Sequence, residues 1–248
     1  MSPLKQTLRI AMWSGPRNVS TAMMRAWEAR QDTVVVDEPF YAHYLTMVDV
    51  DHPGREEVVA AGETDWRKVV KEISGAIPAG KPIFFQKHMA HHLLPHMDRD
   101  WFADFVHAFL IRDPNEMLQS FHAKVKHFGL RDTGLPQQVE IFDYMVTRDG
   151  RVPPVIDARD LLDHPKEVLM QLCRQLGVLF EEAMLSWPAG PRDSDGNWAK
   201  YWYASVEAST GFKPYHAKTS TLPAELEELY QTCMPYYERL WKHRITAS

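Results

Sequence analysis

Cysteine is scarce, at two residues in 248, so neither a disulfide framework nor a zinc ribbon is available, and a reducing compartment such as the cytoplasm suits the chain. No run reaches the roughly 18 to 20 apolar residues of a membrane span, and Met1 to Arg9 lacks the apolar stretch of a secretion signal. The expectation is a chain neither exported nor membrane-embedded. Excess positive charge is also missing. With 28 Lys and Arg against 33 Asp and Glu, the net charge is −5, which removes the broad basic footprint of nucleic-acid binding. Any anion must be met by a local basic site. Repeats and low-complexity tracts are absent as well. What is present is a globular composition, 45% apolar and 25% charged, in a length that suits one α/β domain spanning residues 1–248.

Leu8-Arg9-Ile10-Ala11-Met12-Trp13 is short, apolar and alternating, and it runs into the turn chemistry of Ser14-Gly15-Pro16-Arg17-Asn18. From Asn18 onward Val19, Ala22, Met23, Ala26 and Trp27 fall at helical spacing, with Asn18 or Ser20 placed to cap. Further strands are predicted at Val34 to Val36, Pro82 to Gln86, Phe105 to Ile111 and Pro153 to Asp157. Helical patterns separate them, which implies βαβ units: a three-layer α/β fold, a parallel sheet flanked by helices. Such sheets bind ligands at the carboxyl ends of their strands. Residues 187–215, rich in Gly, Pro, Ser, Asp and aromatics, suit a long loop or lid, and Ala224 to Trp241 returns to helical spacing broken at Pro235.

A strand that feeds a helix through a glycine turn presents backbone N–H groups and the positive end of the helix dipole at one point. Here Arg17, Ser20 and Thr21 add a guanidinium and two hydroxyls to that anion site. The Walker A ending Gly-Lys-Ser/Thr is absent. A plain turn with an N-cap would use the same residues. A second anion site is predicted where Arg112 ends the fourth strand, Asp113 caps and Pro114 opens the next helix, and Ser120 lies about two turns in. A surface ion pair and a helix hydroxyl are the alternative there.

In order and spacing these residues resemble sulfotransferases that use 3′-phosphoadenosine-5′-phosphosulfate, in particular the bacterial and carbohydrate-type branch. Their 5′-phosphosulfate motif is similar to Ser14-Gly15-Pro16-Arg17-Asn18-Val19-Ser20-Thr21, and their 3′-phosphate motif pairs an arginine with a serine eight residues on, as Arg112 and Ser120 do. The stretch from Val155-Ile156-Asp157 through Leu176-Gly177-Val178 resembles the strand and helix that follow. The resemblance implies a P-loop-like nucleotide-binding fold and sulfuryl transfer from that donor, as co-substrate, to a small-molecule hydroxyl or, in second place, an amine. It implies Gly15, Pro16, Arg17, Asn18, Val19, Ser20, Thr21, Arg112 and Ser120 as donor-binding residues, with Arg192 a looser match for a late 3′-phosphate segment. The family loop often carries glycine where Val19 stands, and some branches stack adenine on a tryptophan where this chain has Ala22, so another platform, near Trp198, is needed.

Sulfuryl transfer asks for a base and one or two cations. Glu38, in Asp37-Glu38-Pro39, is the first candidate for the base, and its Glu-Pro pair resembles the carbohydrate-type enzymes. Lys87 is placed to neutralise developing charge, and His88 is the second candidate base. His88, His91, His92 and His96 raise a metal reading, but the zincin glutamate is missing and no metal is expected. The aromatics from Trp198 to Tyr203 are expected to pack rather than bind, and Cys173 to lie in the core. A magnesium-dependent kinase with a degenerate loop, using Asp113 or Asp157, and a silent nucleotide-binding module are the competing functions. The acceptor pocket is expected from segments 41–65, 123–138 and 187–215. Neither the acceptor nor the oligomeric state is legible, and no nucleic-acid or membrane partner is expected.

Overall fold

The period-two pattern of the first strand sends Ile10 and Met12 to one face and Ala11 and Trp13 to the other, and apolar packing buries both faces. The computed structural model describes residues 7–50, 52–216 and 221–247. Five strands, β1 (Leu8–Ser14), β2 (Thr33–Asp37), β3 (Ile83–Met89), β4 (Val106–Ile111) and β5 (Val155–Asp157), form one parallel sheet in the order β2-β3-β1-β4-β5. Helices α1 (Ser20–Glu28), α2 (Tyr41–Met47), α3 (Arg55–Ala61), α4 (Trp66–Ile73), α5 (Pro114–His122) and α6 (Leu135–Asp149) come before β5. After it follow α7 (Ala158–Asp163), α8 (Pro165–Leu176), α9 (Ala199–Trp202), α10 (Ala204–Glu207) and α11 (Glu227–Trp241).

Met23 and Trp27 of α1 and Leu169 and Leu172 of α8 pack on the Ile10/Met12 face. Leu45 of α2, Phe142 of α6 and Leu240 of α11 pack on the Ala11/Trp13 face. This is the doubly covered parallel sheet that the alternation of strand and helix implies. Because β1 lies between β3 and β4, the loops after these three strands open at one end of the sheet. A crevice at that end is the ligand position of such folds.

Three local differences from the sequence reading have physical causes. α1 begins at Ser20, with Val19 as its N-cap and no side-chain cap, because the Asn18 amide is drawn into the sheet and donates to the Leu110 carbonyl at 3.3 Å. β3 runs on to Met89 rather than stopping at Gln86, since it pairs with β1 as far as Ser14 opposite Met89. α11 continues through Pro235: buried Cys233, Tyr237 and Leu240 hold it against the core, which outweighs the one hydrogen bond that proline removes. Among the described residues no helix is long and apolar enough to cross a membrane.

Candidate functional site

The loop after β1 is shaped by close approach. A Cβ on Gly15 would stand 2.4 Å from the Thr133 carbonyl oxygen, so the chain passes there only without a side chain. Arg17 and Val19 then take positive φ values of 61° and 57°. For a β-branched residue this is a genuine outlier, costing about 1–2 kcal/mol, and such strain concentrates at functional sites. Its effect is to turn the uncapped start of α1 toward the crevice, where first-turn N–H groups have no intrahelical acceptor. Behind the loop, buried Gln138 of α6 donates to the Trp13 and Leu110 carbonyls, both at 3.1 Å, across the point where β1 and β4 part.

The two predicted anion sites meet. Arg17 donates from Nε to the Ser120 hydroxyl at 3.0 Å, and Arg112 donates from Nη1 to the Arg17 carbonyl at 2.8 Å. Asp113 caps α5 by accepting from the Asn115 N–H at 2.8 Å, which fixes the turn that carries Arg112. Arg112 also pairs with Glu116 at 2.9 Å, and Tyr215 donates to the other oxygen of that carboxylate. Burial, and then the neighbouring Arg112, lower the Arg17 pKa, which marks a half-dry site with positive charge in excess.

Across the crevice the register sets Asp37 of β2 beside Lys87 of β3. Lys87 Nζ lies 2.8 Å from Asp37 Oδ1, 2.5 Å from Glu38 Oε1 and 2.7 Å from the Tyr203 hydroxyl. Glu38 sits just past β2 with φ 40°, its N–H still bonded to the Lys87 carbonyl at 2.9 Å. Burial pushes the Glu38 carboxyl above the ordinary carboxylate range, Lys87 opposes that rise, and Asp37 adds to it. Burial works against the Lys87 ammonium, but Asp37 and then Glu38 outweigh it and hold its pKa well above the usual lysine value. A carboxylate with raised proton affinity beside a buried ammonium can exchange a proton and stabilise an anion in one place.

One cavity of about 470 Å³ joins the two halves. It is lined by Pro16, Arg17, Asn18, Val19, Ser20, Thr21, Glu38, Lys87, Arg112 and Ser120. Three predicted residues lie elsewhere. Gly15 forms the back of the loop against Thr133. Arg192 turns to Glu28, 3.7 Å from Nε, and to backbone carbonyls of its own segment. His88 occupies the opposite face of β3 from Lys87, as strand alternation requires, and it is not among the described residues lining the cavity. Its ring stacks on Trp13 at 4.6 Å and bonds to Gln86 at 3.1 Å, and burial lowers its pKa to about 3. That neutral, enclosed imidazole, away from the cavity, corrects the expectation of His88 as the second candidate base.

The lining also includes residues that sequence reasoning left aside. Tyr203, Trp198 and Trp202 face the cavity as well as pack, while segment 123–138 contributes no described lining residue. His91 and His92 do contribute, from a single 3-10 turn after β3, and each has a buried Nδ1 without a hydrogen-bond partner. Burial and neighbouring histidines keep both neutral, His91 at about 3. His88, His91, His92 and His96 share no helix face, and the described residues hold no group of three or more side chains placed for a metal ion. The one available signal for Tyr203 was its place in an aromatic cluster within the lid-like segment.

The sulfotransferase domain family matches residues 8–244, nearly the whole chain. The chain belongs to that family. Two Arabidopsis thaliana proteins, branched-chain-amino-acid aminotransferase-like proteins 2 and 1, are 36% and 37% identical over 94% of this chain and 41% and 42% of their own length. The chain thus spans about two fifths of these curated relatives. Among solved structures it is similar to the sulfotransferase domain of the Synechococcus PCC 7002 olefin synthase, with a TM-score of 0.54 at 17% identity, covering 94% of this chain and 97% of that one. It is also similar to a sulfotransferase from Alicyclobacillus acidocaldarius, with a TM-score of 0.55 at 12% identity, covering 96% and 97%. These likenesses establish a shared P-loop-like sulfotransferase fold.

Proposed function

We propose that the protein transfers a sulfuryl group from 3′-phosphoadenosine-5′-phosphosulfate to a hydroxyl of a small-molecule acceptor. The observation that carries this reading is the meeting of Arg17, Ser120 and Arg112 at the uncapped start of α1, in the same cavity as Glu38 and Lys87. Donor chemistry and donor set fit: guanidinium groups, hydroxyls and helix N–H groups suit phosphate and sulfate oxygens. Pro16 to Thr21 with Arg17 would hold the phosphosulfate, and Arg112 with Ser120 the 3′-phosphate. When bound, the donor supplies the sulfuryl group, whose sulfur gains a bond to the acceptor oxygen and loses its bond to the 5′-phosphate oxygen, which keeps the electron pair.

Glu38 takes the acceptor's proton, helped by the raised proton affinity that burial gives it. Lys87 offsets negative charge on the leaving phosphate. The aromatic wall of Tyr41, Trp198 and Trp202, with neutral His91 and His92, forms the acceptor side and excludes water. No metal is required, since the positive field comes from side chains and helix. The cysteines Cys173 and Cys233 are free and buried, which suits a reducing compartment such as the cytoplasm.

The reading is tested by incubating the protein with the phosphosulfate donor and a panel of phenols, alcohols, sugars and amines. Mass spectrometry should show a sulfated product appearing in step with adenosine 3′,5′-bisphosphate. Transfer from ATP with magnesium, or no turnover of either donor, would replace it.

A further inference from the structure

A lysine ammonium has three N–H bonds, and at Lys87 all three are in use, to Asp37, Tyr203 and Glu38. The Tyr203 hydroxyl is equally complete. It donates to Asp37 Oδ2 at 2.6 Å, and accepts from Lys87 and from the Trp198 indole at 3.3 Å. Asp37 Oδ2 also accepts from the Gly196 N–H at 3.2 Å. Lys87 is 1% exposed, so water makes up no shortfall. In this arrangement the ammonium has nothing left to give a bound anion.

Of its three acceptors, Asp37 and Tyr203 are bonded to each other and braced by the 196–203 segment. Glu38 is held differently: its carboxylate bonds to Lys87, its backbone φ is strained at 40°, and His92 Nδ1 lies 3.9 Å from its other oxygen. Glu38 is therefore the contact that yields first.

We propose that Lys87 is a two-position donor, steered by Asp37 and Tyr203: an anion bound at the α1 loop takes the N–H now given to Glu38, and the carboxylate so released becomes the base. This rests on the sulfotransfer reading and adds Tyr203 as a positioning residue. Binding and protonation are then linked, because a carboxyl that loses its cation gains proton affinity. The donor site arms the base only when it is filled.

The test needs no acceptor. Calorimetry of adenosine 3′,5′-bisphosphate binding in buffers of different ionisation enthalpy counts protons taken up, and the Glu38→Gln variant subtracts the ligand's own contribution. Wild type should take up more protons than Glu38→Gln between about pH 5 and 7, the range just above an ordinary carboxylate. Tyr203→Phe leaves Lys87 with a spare N–H, so the anion binds without displacing Glu38. Its affinity should be kept and its excess uptake should fall toward the Glu38→Gln level. Equal uptake in wild type and Glu38→Gln, or undiminished uptake in Tyr203→Phe, overturns the proposal. Should Tyr203→Phe fail to fold, a crystal structure of the wild-type complex decides. Lys87 and Glu38 parted beyond about 3.5 Å, with Asp37 and Tyr203 contacts kept, supports it. An unchanged Lys87–Glu38 contact overturns it while leaving sulfotransfer standing. Absence of any binding to wild type overturns both.

Discussion

Arg112 donates its Nη1 proton to the backbone carbonyl of Arg17 at 2.8 Å, so a residue at the end of β4 fixes the loop after β1. The two predicted anion motifs, 95 residues apart, are joined in one construction. Arg17 replies through its side chain, which bonds Ser120 of α5.

Removing either guanidinium should therefore weaken binding of adenosine 3′,5′-bisphosphate. Arg17→Ala and Arg112→Ala are each expected to cost about 1.5–3 kcal/mol, the worth of a charge-assisted hydrogen bond, or roughly 10- to 150-fold in Kd. Calorimetry checks this. Unchanged affinity in both variants would take the donor site away from this loop.

Glu38→Gln should keep that affinity and lower kcat by about 100-fold or more, the usual share of a general base. Its sign with pH follows from burial, which raises the Glu38 pKa above the ordinary carboxylate value of 4.5. In the role proposed for Glu38 the carboxylate form is the base, so wild-type turnover should rise as pH climbs through that raised pKa. Turnover already flat from pH 4.5 upward would contradict it.

His88 and His91 carry pKa values of about 3 in the fold against an ordinary 6.5. Above pH 6.5 folded and unfolded chains both hold them neutral, and nothing is gained or lost. As pH falls from 6.5 toward 3 the unfolded chain binds protons that the folded chain refuses. Each histidine then removes up to about 1.4 kcal/mol of stability per pH unit. Chemical denaturation at pH 7 and pH 5 should show this loss, and His88→Gln should reduce its slope.

Gly15→Ala places a methyl group against the Thr133 carbonyl. Displacing that backbone should cost about 1–3 kcal/mol, as overpacking does. Thermal unfolding measures it, and an unchanged midpoint would mean that the loop and residues 130–134 part freely.

How far the site could be read from the chain depended on sequence distance. Ser14 to Thr21 is legible because strand, turn and helix are local, and Arg112 with Ser120 because both lie on one strand-to-helix unit. His88 misled because β3 was taken to end at Gln86; inside a strand, neighbours face opposite ways, and Lys87 and His88 divide between two faces. The aromatic cluster around Tyr203 was visible, but its contact with Lys87 was not, since the two meet across 116 residues and no local pattern marks such a pairing. Val19 in a left-handed conformation is equally hidden, because a β-branched residue is a poor sign of positive φ. Pro235 showed the reverse error, a local breaker overruled by packing.

On the proposed function the α1 loop is a site for a 3′-phosphorylated adenine nucleotide and works without metal. Calorimetric titration of adenosine 3′,5′-bisphosphate into the wild-type protein, with ATP as competitor and with and without magnesium, tests it most directly. Binding is expected to be independent of magnesium and not matched by ATP. No binding, or a preference for magnesium-ATP, would contradict it.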